Sequence, residues 1–220
     1  MKIGVRTQLS LTFALVVILI TVSMGFYAVT TMSKEVIQSA QEKLQGDLAL
    51  GRAMLEQRYP GEWAVRNGQL YKGEHLINGD FTVVDEIGRA TGDTVTIFQG
   101  DTRVSTNVMK DGVRQINTKV SPQVAEVVLK QGKTYLGLAD VVGVKNQAAY
   151  EPIRNAQQEV IGIWYVGVPN TPYEMMVSRI RNNLIIFGII GCLITMSAAG
   201  LYASHMVKKV KVISAAMAKA

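Results

Sequence analysis

Val160-Ile-Gly-Ile-Trp-Tyr-Val-Gly-Val-Pro-Asn-Thr-Pro-Tyr-Glu174 is the stretch on which the fold turns. Up to Val168 it is apolar on both alternating sets: Val160, Trp164 and Val166 on one, Ile161, Ile163 and Tyr165 on the other. A strand with two apolar faces must be covered on both, so it is central in its sheet. Pro169 ends it. Thr171-Pro172-Tyr173-Glu174 then reads as a capping box, with Thr171 as N-cap and Pro172 at the first helical position. No strong helix breaker follows before the chain end, because Gly188, Gly191 and Gly200 are tolerated in membrane helices. One helix is therefore expected to run on from the central strand, roughly 70 Å long at 1.5 Å per residue.

Within that helix, Asn182 to Ser204 carries no Asp, Glu, Lys, Arg or His, and neither does Thr7 to Ser33 near the other end of the chain. Each run is long enough to cross a bilayer, which takes about 20 apolar residues. The formal charge of +6 is placed at the flanks. Lys2 and Arg6 precede the first run, and Lys208, Lys209, Lys211 and Lys219 follow the second. The segment between Lys34 and Arg181 holds all 17 acids and the remaining 17 Lys and Arg, so it is neutral. Lys and Arg collect in short cytoplasmic flanks. Both termini are thus expected in the cytoplasm, with a two-pass chain in the cell membrane (the bacterial inner membrane, if the resemblance drawn below holds) and the middle domain outside. The basic excess then reports topology and gives no ground for nucleic-acid binding. The first run exceeds the apolar core of a signal peptide, about 7–15 residues, which favours an uncleaved anchor. Cys192 is the single cysteine and lies in the second run, so the exported domain folds without a disulfide. About 150 residues suffice for a core.

Working back towards the first run, Val144–Ile153 and Thr134–Val142 read as further strands. Ser121-Pro122 starts a short helix that Gly132 ends. Thr94–Gln99 and Thr102–Val108 flank Gly100-Asp101 as one hairpin. Trp63–Arg66 and Gln69–Lys72 flank Asn67-Gly68 as another, since that pair accepts the positive φ of a tight turn. Phe81, Val84, Ile87 and Gly88 mark a short helix closing near Gly92. Before Pro60, Ile37, Ala40, Leu44, Leu48, Gly51 and Leu55 recur at spacings of three and four, one apolar stripe on a long helix that continues the first span. The stripe suits packing on the domain's own sheet, a dimer seam, or both. The sum is an α+β domain of five to six antiparallel strands on a long helix.

The chemistry points to binding. The exported domain has one histidine, His75, and no HExxH, GxSxG, CxxC or P-loop pattern. Asp80, Asp85 and Glu86 read as a solvated helix face, and His75 as a surface loop residue. No catalytic residue, metal or cofactor is expected. A ligand group would be a polar side chain set among apolar strands. Arg103, Ser105 and Asn107 share one face of their strand by the period-2 rule. An arginine there forks onto a carboxylate with two parallel hydrogen bonds. Arg114 and Lys119 lie just downstream, and Tyr135 and Tyr150 offer hydroxyls from later strands. These seven are the candidate ligand-binding residues.

Tyr59-Pro-Gly-Glu-Trp, Leu70-Tyr-Lys-Gly, Ile77-Asn, Val84-Asp-Glu-Ile-Gly and Thr96-Ile-Phe-Gln-Gly-Asp-Thr-Arg-Val-Ser-Thr-Asn107 form an ordered motif series. Tyr150-Glu-Pro-Ile and Val160 to Pro169 continue it. The series resembles the single Cache sensor domains of bacterial methyl-accepting chemotaxis proteins. The resemblance implies a PAS-like antiparallel sheet packed on a long N-terminal helix, a homodimer, and a small ligand bound on the sheet, an organic acid or an amino acid. After the second span, Val210, Ile213, Ala216 and Met217 resemble the opening of a HAMP linker, although Lys209 stands where proline is usual. The expected organisation is a cytoplasmic N-terminus (1–7), a first span (8–32), the sensor domain (33–181, with its long helix at 33–58), a second span (182–204) and the start of the linker (205–220). The chain would be the sensory half of a receptor, a fragment or a truncated gene product, that signals to cytoplasmic partners through a missing C-terminal part. Two alternatives stand beside this reading. The same sensor occurs on histidine kinases or cyclic-nucleotide enzymes, and a two-span scaffold would bind no small ligand.

Overall fold

The computed structural model describes residues 5–217. The flanks at 1–4 and 218–220, which hold Lys2 and Lys219, lie outside the described residues, as do the side chains of the linker pattern at Val210, Ile213, Ala216 and Met217. The chain divides into two compact units, one of Met1–Lys34 with Met175–Ala220, the other of Glu35–Glu174.

Elements follow in the order α1 (Val5–Arg58), β1 (Trp63–Arg66), β2 (Gln69–Lys72), β3 (His75–Leu76), α2 (Thr82–Thr91), β4 (Thr94–Gln99), β5 (Thr102–Thr106), β6 (Met109–Lys110), β7 (Val113–Arg114), α3 (Pro122–Ala125, widening into a π-helical turn at Glu126–Lys130), β8 (Tyr135–Val141), β9 (Val144–Arg154), β10 (Val160–Pro169) and α4 (Thr171–Met217). The main sheet has the order β5-β4-β10-β9-β8, antiparallel throughout, with β10 in the middle. The doubly apolar strand is thus the central one. A three-stranded sheet, β1-β2-β3, and the small β6-β7 hairpin complete the strands. Asn67 and Gly68 take the positive φ values of 48° and 76° that their turn requires.

One face of the sheet packs on α1. Leu44, Leu48 and Leu55 bury against Ile87, Val95, Ile97, Trp164 and Val166. A Cβ on Gly51 would lie 2.6 Å from Trp164 Cζ2, so only glycine lets the indole lie this close to the helix backbone. The indole Nε1 donates to the Leu48 carbonyl at 3.1 Å. The opposite face packs under α3: Phe98, Ile163, Tyr150 and Tyr165 from the sheet meet Val120, Val124 and Val128.

Leu11–Arg58 and Thr171–Met206 each contain a window long and apolar enough to cross a membrane. Their large apolar side chains, from Leu15 and Leu19 to Ile189 and Leu193, are exposed. Thr12, Thr30, Thr195 and Ser197 turn their hydroxyls back onto carbonyls three or four residues earlier. That leaves these hydroxyls satisfied without water, as a hydrocarbon surround demands.

The start of α4 differs in detail from the sequence expectation. Thr171 is already helical. Asn170 is the flanking residue: its carbonyl accepts from Tyr173 and Glu174, and its Nδ2 donates to Glu174 at 2.7 Å. The expected capping box is therefore replaced by a side-chain bond from Asn170 to Glu174, while Asn170 Oδ1 accepts from Gln147 Nε2 at 2.8 Å.

Candidate functional site

Face assignment on β5 depends on a bulge. Ser105 pairs with Ile97 and Arg103 with Phe98, so Val104 is an extra residue opposite the step from Ile97 to Phe98. Arg103 and Thr106 therefore join Phe98 and Thr96 on the α3 face, and Val104 joins the α1-side core. The expectation that Arg103, Ser105 and Asn107 line one face is corrected here. Ser105 is buried on the other side and donates to the Asp80 carbonyl. Asn107 is a backbone clip: its Oδ1 accepts from Val95 N at 2.7 Å and its Nδ2 donates to Asp93 O at 3.0 Å.

Arg103 is 3 % exposed and forms no ion pair among the described residues. Its Nη1 donates to Thr118 Oγ1 at 2.5 Å and to Gln115 O at 3.3 Å. The Arg103 guanidinium carbon lies 5.1 Å from the centre of the Phe98 ring. Nε is buried and unpaired. The N–H groups of Nε and Nη2 point the same way on a guanidinium, and neither makes a hydrogen bond to the described residues. Burial pulls the guanidinium pKa below its ordinary value, while Tyr165 and Tyr150 lie near enough to oppose that shift. Tyr150 is likewise buried, stacks at a tilt on Tyr165 with centroids 4.6 Å apart, and has its pKa raised by burial. Its hydroxyl makes no hydrogen bond among the described residues, whereas Tyr165 Oη is bonded to Thr94 and Asn146.

The remaining expected residues are otherwise engaged. Arg114 forks onto Asp85 at 2.7 and 3.0 Å and lies 4.4 Å over Phe81, so it ties β7 to α2. Lys119 pairs with Asp101 at 2.8 Å on the surface. The Tyr135 hydroxyl donates to the Leu138 carbonyl at 2.7 Å, and its ring meets Tyr150 edge-on. The structure thus brings together Arg103 and Tyr150 and sets the other five elsewhere or in fixed bonds. The acids and the histidine taken for solvated surface are also paired. Asp80 accepts from Tyr59 at 2.6 Å and meets His75 Nε2 at 2.8 Å, with Tyr59 and His75 stacked 3.7 Å apart. Burial alone would raise the Asp80 pKa, but hydrogen bonds from Tyr59 and Thr82 hold it well below the usual carboxylate range.

Sequence reasoning missed the lid. Gln115 to Thr118 runs beside β5, with Arg103 N donating to Thr118 O and Asn117 N to Arg103 O, each at 2.9 Å. Above lies the π turn, where Gln131 N reaches back five residues to Glu126 O at 3.1 Å. Such turns recur at functional sites. Nothing in Glu126–Lys130 distinguishes it by composition from ordinary helix.

Residues 75–180 match the family model described as single Cache domain 3. The matched segment includes both faces of the main sheet, the lid and α3. No curated protein matches the sequence. Among solved structures, the Escherichia coli DcuS sensor domain is similar with a TM-score of 0.39 and 11 % identity, over 67 % of this chain and 98 % of that one. The ligand-binding domain of the Campylobacter jejuni chemoreceptor Tlp3, in complex with L-valine, is similar at 0.39 and 12 %, over 71 % and 66 %. The sensor domain of the Vibrio cholerae histidine kinase DctB scores 0.33 at 13 %, over 42 % and 37 %. All three likenesses are distant.

Proposed function

We propose that this chain acts as the sensory input of a transmembrane chemoreceptor, with a Cache sensor domain that binds a small organic acid or amino acid through its carboxylate. The observation that carries this reading is the unpaired Nε–Nη2 edge of the buried Arg103. Burying a cation without a counter-charge costs several kcal/mol. A bidentate carboxylate returns that cost by supplying both the charge and two acceptors. The Tyr150 hydroxyl, also without a partner, is the second contact. The Gln115–Thr118 segment holds Nη1 and leaves that edge without a partner.

The signal then has a short route. Tyr165 on β10 lies near Arg103, and β10 runs into α4 through Asn170. A ligand biases the output only through a difference in affinity between two states of this strand and helix. Both termini cytoplasmic, a homodimer, a HAMP linker from 205 and a chemotaxis output complete the reading. They rest on the charge placement and on the motif series. No enzymatic role is proposed for the domain.

The test is a thermal-shift screen of the full chain in detergent micelles against organic acids and amino acids. A true ligand at 100 times its dissociation constant adds about 2.7 kcal/mol. Arg103→Met, of similar length and uncharged, is expected to lose that shift. A screen without any carboxylate hit, or a hit that Arg103→Met retains, overturns the reading.

A further inference from the structure

Lys43 on α1 stands between two acids. Its Nζ donates to Asp93 Oδ1 at 2.7 Å, to Asp47 one turn along the helix, and to the Thr91 carbonyl at 3.3 Å. An ammonium has three N–H groups, so none is left over. The Asp93 side chain has no exposed surface, and its Oδ2 is buried without a hydrogen-bond partner. One lysine thus serves two carboxylates, and the buried one is half satisfied. Oδ2 is shut off from a metal ion or an organic ligand by its burial. A proton needs no room, and the half-exposed Lys43 and partly exposed Asp47 give it a way in.

The groups around Asp93 favour that proton. The titratable ones in range are Lys43 and Asp47 from α1 and the Tyr165 phenol from β10. The end of α2 and the residue after β5 contribute uncharged groups. Asp93 N donates to Thr91 Oγ1 at 3.2 Å, and Asn107 Nδ2 donates to the Asp93 carbonyl at 3.0 Å. Asp47 and Asp93 lie within hydrogen-bonding reach of each other. Two carboxylates that share a site hold one proton between them. With that proton the cluster is neutral, one ammonium against one carboxylate. Without it, a buried negative charge remains.

We infer that Lys43, Asp47 and Asp93 form a proton-binding site, and that the domain reads acidity through it as a stimulus separate from the carboxylate at Arg103. That this acidity is the one outside the cell rests on the topology proposed above. Burial and the Asp47 charge raise the Asp93 pKa from 3.8 to about 6, against the pull of Lys43. The folded state therefore holds the proton below about pH 6, and the support it gives is lost as pH rises through that value. Position makes the loss consequential. Thr94, the next residue, pairs with Gly167, two residues before β10 ends at Pro169. Lys43 and Asp47 belong to α1. Removing the proton loosens α1 from the sheet beside the strand that runs into α4.

The experiment is a titration of the full chain in nanodiscs from about pH 4.5 to 7.5, in buffers free of carboxylates, read by 13C NMR of the aspartate carboxyl carbons and by Trp164 emission in a Trp63→Phe background. The indole donates to the Leu48 carbonyl, so its emission reports the docking of α1. One carboxyl is expected to titrate near pH 6 and the emission to follow it. Both transitions are expected to vanish in Asp93→Asn and to stay in Arg103→Met. Asp47→Asn removes the like charge and is expected to lower the midpoint by about one pH unit, and Lys43→Met to raise it by as much. These two variants decide the matter even where Asp93→Asn fails to fold. The proposal is overturned if no aspartate titrates above about pH 5. It is also overturned by a midpoint that Asp47→Asn leaves unmoved, or by emission that stays flat while the carboxyl titrates. No carboxylate ligand is present, so an empty ligand screen leaves this result standing, and a failed titration leaves the Arg103 site standing.

Discussion

The two faces of the main sheet are built from the same strands and solve burial in opposite ways. Against α1 the centre is closed: aliphatic side chains interlock around Trp164, and the indole N–H, Ser105 and Asn107 each reach a backbone partner. The orphaned atoms on that side are Asp93 Oδ2, just before β4, and Gln147 Oε1, near the start of β9, away from the centre around Trp164. Under α3 the centre holds a guanidinium, two tyrosines and an asparagine, and it leaves Arg103 Nε and Asn146 Oδ1 buried without a partner. A closed face carries stability, and an open one carries affinity held in reserve. The contrast predicts that substitutions on the first face unfold the domain, whereas substitutions on the second leave it folded and unresponsive.

The largest effect belongs to the closed face. Trp164→Ala removes the side chain packed against Gly51 and strands the cavity beside a rigid helix backbone. A loss of about 3–5 kcal/mol is expected, read by chemical denaturation of the full chain in micelles. A loss under about 1 kcal/mol would mean that the α1 face collapses freely and that the contrast is wrong.

The same contrast explains what could be read from the residues. The centrality of β10 was visible because both of its alternating sets are apolar, and period two survives wherever a strand is regular. It failed on β5, because the extra residue is Val104, with no glycine or proline to mark a bulge. Ser105 and Asn107 were therefore placed on the ligand side when they are fasteners on the other. Arg103, Arg114 and Lys119 are all basic residues within one short segment, and Arg103 was favoured for its place in the hairpin. What separates them is whether an acid waits across the fold, as Asp85 does for Arg114 and Asp101 for Lys119. That pairing is tertiary and has no local signature. The lid and the π turn are of the same kind.

The next effect compares the two buried charges. Asp93 at the start of β4 has a fully buried side chain, and Lys43 donates to its Oδ1 at 2.7 Å while also holding Asp47. Burial pushes its pKa up to about 6, further than Lys43 brings it down. In the unfolded chain an aspartate releases its proton near its ordinary 3.8. Between those values the folded state binds the extra proton, so this group's contribution is full below about pH 4 and is lost as pH rises towards 6. Asp93→Asn stays neutral and is expected to flatten that window. It would gain up to about 3 kcal/mol at pH 7, by 1.36 kcal/mol per pKa unit, less whatever Lys43 loses by giving up one of its two acids. A denaturation series from pH 4 to 7 checks it. Stability that rises with pH through the window in the wild type, and not in the variant, would reverse the assignment.

Arg103→Met is expected to move stability the other way from Trp164→Ala. Replacing an unpaired buried cation by an apolar chain of similar length is neutral or stabilising by about 1–2 kcal/mol. Denaturation in the absence of any carboxylate reads it. A loss comparable to that of Trp164→Ala would show that Arg103 is a structural fastener held by Thr118 and Gln115, and the two faces would then be alike.

The smallest effect is the sharpest control. Lys119 lies in the same segment as the lid residues, carries the same charge as Arg103 and was a candidate beside it, yet its side chain is 71 % exposed and its bond is to Asp101. Exposed pairs of this kind contribute about 0–1 kcal/mol. Lys119→Ala is therefore expected to change stability by less than about 0.5 kcal/mol and to leave the carboxylate shift in place, while Arg103→Met abolishes it. If the two variants weaken the ligand equally, the effect is long-range attraction by a basic surface, which salt would screen over about 8–10 Å. Repeating the titration at high salt separates the cases. A buried fork keeps its ligand when the surface field is gone, because the desolvated edge of Arg103, not its charge alone, makes the site.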